Sequence, residues 1–235
     1  MNFKAILFDL DGTLLPLDQE KFTEFYFKEL IKVLTPFGFD PKVLINTIWS
    51  GTKAMVLNDG KKLNREIFWE QFVKLCPCEI EKVKPVCDRF YTNEFHNVKG
   101  CTAQNPFARD AVRLAHEKAE KVVLATNPLF PKEGQHTRIG WVGLTPQDFT
   151  MITSYDSDSF CKPNPDYYLS ICERIDVSPS ECLMIGNDEN EDMYAAGLTG
   201  MSCFLVTDHL ILCREHPFSG KRGSFTDMIT FLDEL

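Results

Sequence analysis

Near its start the chain carries an unbroken apolar run, Ala5-Ile6-Leu7-Phe8, which gives way at once to Asp9-Leu10-Asp11-Gly12-Thr13. Continuous apolar residues are the mark of a strand covered on both faces. From residue 18 to about residue 96 the period becomes helical. Phe22, Phe25, Tyr26, Leu30, Val33 and Leu34 form one stripe. Thr35-Pro36-Phe37-Gly38 ends that helix, and Asp40-Pro41 opens another with a cap residue followed by proline. Leu44, Ile48 and Met55 continue the apolar face as far as Asn58-Asp59-Gly60. A third helix is centred on Ile67, Phe68, Phe72 and Leu75, and a fourth spans Glu79 to Phe95.

From about Val98 strands and helices alternate. Strands are predicted at Val122–Ala125, Phe149–Thr153, Leu183–Ile185 and Ser202–Val206, with helices at Pro106–Lys118, Gly134–Gly143, Pro165–Ile175 and Glu191–Leu198. Five short apolar strands with intervening helices imply right-handed crossovers and a parallel sheet, an α/β fold. The helical segment is then an insertion after the first strand. Thr207–Ser224 reads as a long loop or a ragged edge element.

The 235 residues, 44% hydrophobic and 25% charged, are those of a packed globular protein. A net charge of −9 without a long basic run argues against nucleic acid or an anionic membrane as the partner. The first strand is entered by residue 5, so no signal sequence is expected, and no apolar stretch reaches the length of a membrane span. Nine scattered cysteines then read as reduced thiols of a cytoplasmic protein. Cys76-Pro77-Cys78 is the only tight pair, and no second pair completes a zinc set. The expected assembly is a monomer or weak homo-oligomer.

Chemistry enters at the strand ends. Residues two apart on a strand point the same way, so Asp9 and Asp11 can share a site if the strand geometry persists. Paired carboxylates repel unless a cation or proton lies between them. In a parallel sheet, ligands collect at the carboxyl ends of the strands. Thr126-Asn127 and Asn187-Asp188, with Asp192 beyond, fall at two more strand exits, and Lys162 precedes a helix in Cys161-Lys162-Pro163-Asn164-Pro165. Carboxylates for Mg²⁺, a hydroxyl, an amide and a lysine for phosphoryl oxygens, and a second acid for proton transfer are what phosphoryl transfer requires.

Asp9-Leu10-Asp11-Gly12-Thr13-Leu14, Thr126-Asn127, Lys162-Pro163 and Gly186-Asn187-Asp188-Glu189-Asn190-Glu191-Asp192 resemble the four ordered motifs of the haloacid dehalogenase (HAD) superfamily. The resemblance implies a Rossmann-like, doubly wound core over residues 1–16 and 97–235 and a helical C1-type cap over 17–96. It implies Asp9 as nucleophile, Asp11 as general acid/base, and Thr126, Asn127 and Lys162 as substrate-binding groups, with Lys162 bridging the phosphoryl group and Asp9. Mg²⁺ would be held by Asp9, the backbone carbonyl of Asp11 and Asp188, with Asp192 and Asn187 supporting that site. Superfamily members that attack carbon–halogen bonds typically lack the second acid, so a phosphatase acting on a small phosphorylated metabolite is expected. A phosphomutase or phosphotransferase with the same residues is the nearest alternative, and a non-catalytic metabolite-binding protein the alternative from another class.

Each motif also has an ordinary structural explanation. Asp11-Gly12 is a common turn pair, Thr126-Asn127 can cap a helix, most lysines lie at the surface, and acids such as Asp188 and Asp192 suit a helix N-terminus. Their occurrence together, in order, favours the site. Asn58-Asp59-Gly60 is read either as an interhelix turn or as a substrate-choosing loop, and Gly12–Gln19 as a mobile connection to the cap.

Overall fold

The apolar run at the start forms β1 (Ala5–Phe8), whose four residues are fully buried in the computed structural model, which describes residues 3–76 and 78–235. β1 lies between β2 (Lys121–Leu124) and β4 (Cys182–Gly186). Both partners are parallel to it, in register from Ala5 opposite Lys121 and Cys182 to Phe8 opposite Leu124 and Ile185. The three strands therefore end level, and the residues after them meet at one edge. β3 (Met151–Ile152), β5 (Ser202–Val206) and β6 (Lys221–Gly223) complete a six-stranded sheet of order β3-β2-β1-β4-β5-β6.

Side chains alternate across β1, and so do its cores. Ile6 and Phe8 face a cluster that includes Val112 and Ile139, from α5 (Ala108–Lys118) and α6 (Lys132–Trp141), and Met228 from α9 (Phe225–Asp233). Ala5 and Leu7 face a second cluster with Tyr167 and Ile171 from α7 (Pro165–Ile175) and Ala195 from α8 (Ala195–Leu198). Helices on both faces make this the α/β, Rossmann-like arrangement expected.

Between β1 and α5 lie four helices: α1 (Gln19–Leu34), α2 (Pro41–Val56), α3 (Asn64–Leu75) and α4 (Ile80–Thr92). Asp40 caps α2 as its position before proline predicts, accepting from the amides of Lys42 and Val43. The fourth helix ends at Thr92, short of Phe95, because the chain tightens into 3₁₀ turns over Glu94–Cys101. Pro77, within the Cys76-Pro77-Cys78 motif, lies outside the described residues; Cys76 and Cys78 are free thiols.

Three further details refine the sequence reading. β6 adds a sixth strand within Thr207–Ser224, pairing with β5 from Phe204 opposite Lys221 to Val206 opposite Gly223. The helix before β5 begins at Glu189, with a wide π turn over Glu189–Tyr194 in which the amide of Met193 reaches the Asp188 carbonyl at 3.1 Å. In the segment from Gly12 to Gln19, Thr13, Leu14 and Leu15 are buried, and Asn105 donates to the Leu14 carbonyl at 2.9 Å. No helix among the described residues is long and apolar enough to cross a membrane.

Candidate active site

The level strand ends bring Asp9, Thr126, Asn127, Asn187 and Asp188 to the wall of one cavity, together with Asp11, Arg138, Glu191 and Asp192. Lys162 reaches this group from the loop before α7. The chain after it is held by the start of α7, where Asn164 caps the helix through the Asp166 amide and Pro165 occupies the first turn. The Lys162 ammonium is 1% exposed and donates to Asp9 Oδ1 at 2.8 Å and to Asp192 Oδ1 at 2.6 Å. Burial works against its charge, but Asp192 and Asp9 outweigh that effect and hold it protonated.

Asp192 is saturated. Its Oδ2 accepts from the amides of Asn187 at 3.0 Å and Asp188 at 3.1 Å, so one side chain fixes both the lysine and the loop after β4. Gly186 makes room for it: an added Cβ would lie 2.2 Å from Asp192 Oδ2. Asp188 caps the following helix, its Oδ1 accepting from the amides of Asn190 and Glu191. Asn187 faces the first loop instead, accepting from Thr13 Oγ1 at 3.0 Å and donating to the His209 carbonyl at 2.6 Å. Gly12 permits this approach, with a φ of +83° and only 2.3 Å from its absent Cβ to Asn187 Nδ2.

The strand geometry of β1 does not persist through Asp11. The backbone turns at Leu10, which accepts from the amides of Thr13 and Leu15. Asp11 points to Arg138, whose Nη1 donates to Asp11 Oδ2 while Nη2 donates to Gln135 Oε1. Arg138 is buried, with its guanidinium carbon 4.6 Å from the centroid of the Phe130 ring. Asp11 Oδ1 is buried without a protein partner. Burial raises the Asp11 carboxyl above the ordinary carboxylate range; Arg138 opposes this and Asp9 adds to it. A raised carboxyl facing the cavity is suited to carrying a proton.

The sequence reading missed Arg138, Glu191 and the segment from His209 to Arg222. Glu191 accepts from Asn127 Nδ2 at 3.0 Å, and burial pushes its carboxyl up to about 8. The late segment clamps the loop after β4. The Ile211 amide donates to the Asn187 carbonyl, and Glu189 accepts from the amides of Cys213 and Phe218 and from Arg222. Thr126 is buried at the cavity wall, and its carbonyl accepts from Tyr167 and Thr153. Asn58-Asp59-Gly60 is an interhelix turn and does not line the cavity. Asn58 donates to Asn64, whose backbone amide donates to the Asp158 carbonyl of the core.

Glu191 supplies a pH test. Its proton is kept up to about pH 8 in the folded chain but lost near the ordinary carboxylate range on unfolding. The associated stability is present below that range and is lost as pH rises toward 8. In metal-free protein, Glu191→Gln is expected to raise Tm more at pH 9 than at pH 5, by about 2–4 °C for each kcal/mol recovered. An equal shift at both pH values in thermal melts would show that Glu191 ionises normally.

Divalent metal can be tested against the donors. Asp9 Oδ2 and Asp188 Oδ2 make no protein hydrogen bond among the described residues, and both residues line the cavity. Among the described residues, no group of three or more His, Cys, Asp or Glu could cage an ion. Two hard carboxylates completed by a backbone carbonyl, water and substrate phosphate suit Mg²⁺, which seldom occupies all-protein cages. The donor set fits.

A parallel sheet that gathers two acids, a sealed lysine and an acidic helix start at one edge defines a hydrolase core of the HAD type. The family model for haloacid dehalogenase-like hydrolases matches residues 3–198, and the chain belongs to that family. The proposed phosphatase YhcW of Bacillus subtilis strain 168 is 28% identical over 217 residues, covering 86% of this chain and 83% of its own. The glyceraldehyde 3-phosphate phosphatase of Methanothermobacter thermautotrophicus is 25% identical over 242 residues, covering 99% and 97%. Among solved structures, the proposed HAD hydrolase YfnB of B. subtilis, bound to magnesium, superposes with a TM-score of 0.57 at 16% identity, covering 100% of both chains.

Proposed function

We propose that the chain is a Mg²⁺-dependent phosphatase that hydrolyses a small phosphorylated metabolite through an aspartyl-phosphate on Asp9, with residues 17–96 acting as a cap on the core. One observation carries the reading: Lys162 is sealed between Asp9 and Asp192, so Asp9 is anchored through Oδ1 while Oδ2 has no partner among the described residues. The phosphatases among its relatives support it.

Asp9 attacks phosphorus, a bond forms to its carboxylate oxygen, and the ester P–O bond breaks. The departing oxygen takes the proton that Asp11 holds. Asp11 then removes a proton from water, which attacks the same phosphorus. The bond to Asp9 breaks, phosphate leaves and the carboxylate is restored. Thr126, Asn127 and Lys162 orient the phosphoryl oxygens, and the helical insert keeps bulk water from the intermediate. Asp9, the Asp11 carbonyl and Asp188 would hold Mg²⁺, which would supply positive charge against the phosphoryl group.

The test is phosphate release from acetyl phosphate and p-nitrophenyl phosphate. Turnover is expected with Mg²⁺, abolished by EDTA and restored by added Mg²⁺. Well-folded protein that releases no phosphate from either compound under these conditions would overturn the reading.

A further inference from the structure

The cavity that opens at Asp9 and Asp11 continues into the helical insert and has a volume of about 380 Å³, within the size range of small-molecule sites. Aromatic side chains dominate its wall, among them Phe27, Trp49, Phe68, Trp69, Tyr91 and Phe130. Polar groups are the minority there, and some of them are paired within the protein. The hydroxyls of Tyr26 and Tyr91 lie 2.9 Å apart, and Thr23 donates to the Gln19 carbonyl of its own helix at 2.8 Å. Arg138 is the only lysine or arginine among the lining residues. Its Nη1 and Nη2 are committed to Asp11 and Gln135 and its plane lies over Phe130, so its charge is already balanced, although its buried Nε has no partner among the described residues. A second anionic group on a substrate would lose its water against this wall and find no free cation in return.

We infer that the leaving group is apolar: the substrate is a phosphate monoester of an aliphatic or aromatic alcohol, not of a polyol, a hydroxy acid or a second phosphate. This rests on the phosphatase reading above and adds the substrate class to it. Burial of the alcohol carbons supplies the discrimination, since each methylene moved from water to an apolar wall favours binding by about threefold to fourfold. The same wall disfavours a bisphosphate, and with it the phosphomutase alternative.

Ethyl, butyl and hexyl phosphate have leaving alcohols of similar acidity, so their kcat/KM values with Mg²⁺ read the wall and not the chemistry. From ethyl to hexyl a gain of about 100-fold is expected, with glycerol 3-phosphate and phosphoglycolate below butyl phosphate. Trp49 is 50% exposed, so Trp49→Ala is a mild change to the fold. It is expected to cut the hexyl preference by roughly fivefold. Acetyl phosphate, whose acyl group is too small to reach the wall, separates the two claims. If neither it nor p-nitrophenyl phosphate is turned over, the phosphatase reading and this inference fall together. If it is turned over but the alkyl series is flat, or glycerol 3-phosphate leads it, only the inference falls. An unchanged series in Trp49→Ala overturns the assignment of the alkyl chain to the aromatic wall.

Discussion

Asp9→Asn is expected to abolish phosphate release, by on the order of 10⁴-fold or more, while leaving the fold intact. The amide keeps the size of the carboxylate and an oxygen that can still accept from Lys162. The lysine in turn retains Asp192 at 2.6 Å, so no buried cation is left unpaired. What is lost is the anionic oxygen that attacks phosphorus. Thermal melts therefore separate this variant from one that simply unfolds. The complementary result belongs to the unaltered enzyme: acid-quenched during turnover, it should carry the mass of one phosphoryl group on the peptide that contains Asp9. If Asp9→Asn keeps more than about a hundredth of the activity, the nucleophile is elsewhere or is water.

The parts of this protein that could be read from the sequence are those whose side chains carry the information. β1, β2 and β4 are covered on both faces, so each shows as an apolar run, and a polar residue at the end of such a run marks a strand exit. β6 has no such mark. Lys221 and Arg222 are exposed at the sheet edge, where the strand is defined by backbone pairing to β5 alone. The same holds for the clamp on the loop after β4. It works through the His209 carbonyl and the amides of Ile211, Cys213 and Phe218, groups that every residue but proline possesses.

Arg138 was hidden for a different reason. It lies on a helix of mixed polarity, and its partner Asp11 is 127 positions away, so no local period points to the pair. The acidic start of the helix after β4 shows how two explanations of one motif can hold together. Asp188 caps the helix, as the ordinary reading has it, and still leaves Oδ2 without a protein partner. Asp192, four residues on, turns inward to Lys162 and is almost wholly buried. Four-residue spacing places both on one side of a helix, but only the tertiary fold decides which becomes cap and which becomes counterion.

Lys162→Met should be the most destabilising single change at the site. Lysine and methionine are similar in length, so packing is largely kept and the loss is that of the charge. Asp9 and Asp192 would then face each other across a buried space without a cation. Breaking a buried pair in this way costs about 3–5 kcal/mol, and Tm falls by roughly 2–4 °C for each. The sign of the pH dependence follows. Burial already pushes the Asp192 carboxyl up to about 7; with no lysine to oppose burial it rises further and takes up a proton in the folded state, so the deficit against the parent should narrow at pH 5 and widen at pH 8. Adding Asp192→Asn to Lys162→Met removes one of the stranded charges, and the double variant should be more stable than the sum of the single effects allows. Measurement in EDTA keeps metal from replacing the missing cation. A Tm within about 2 °C of the parent at pH 8 would mean that the pair is not held ionised in the folded protein, and Lys162 could then no longer serve as the anchor of Asp9.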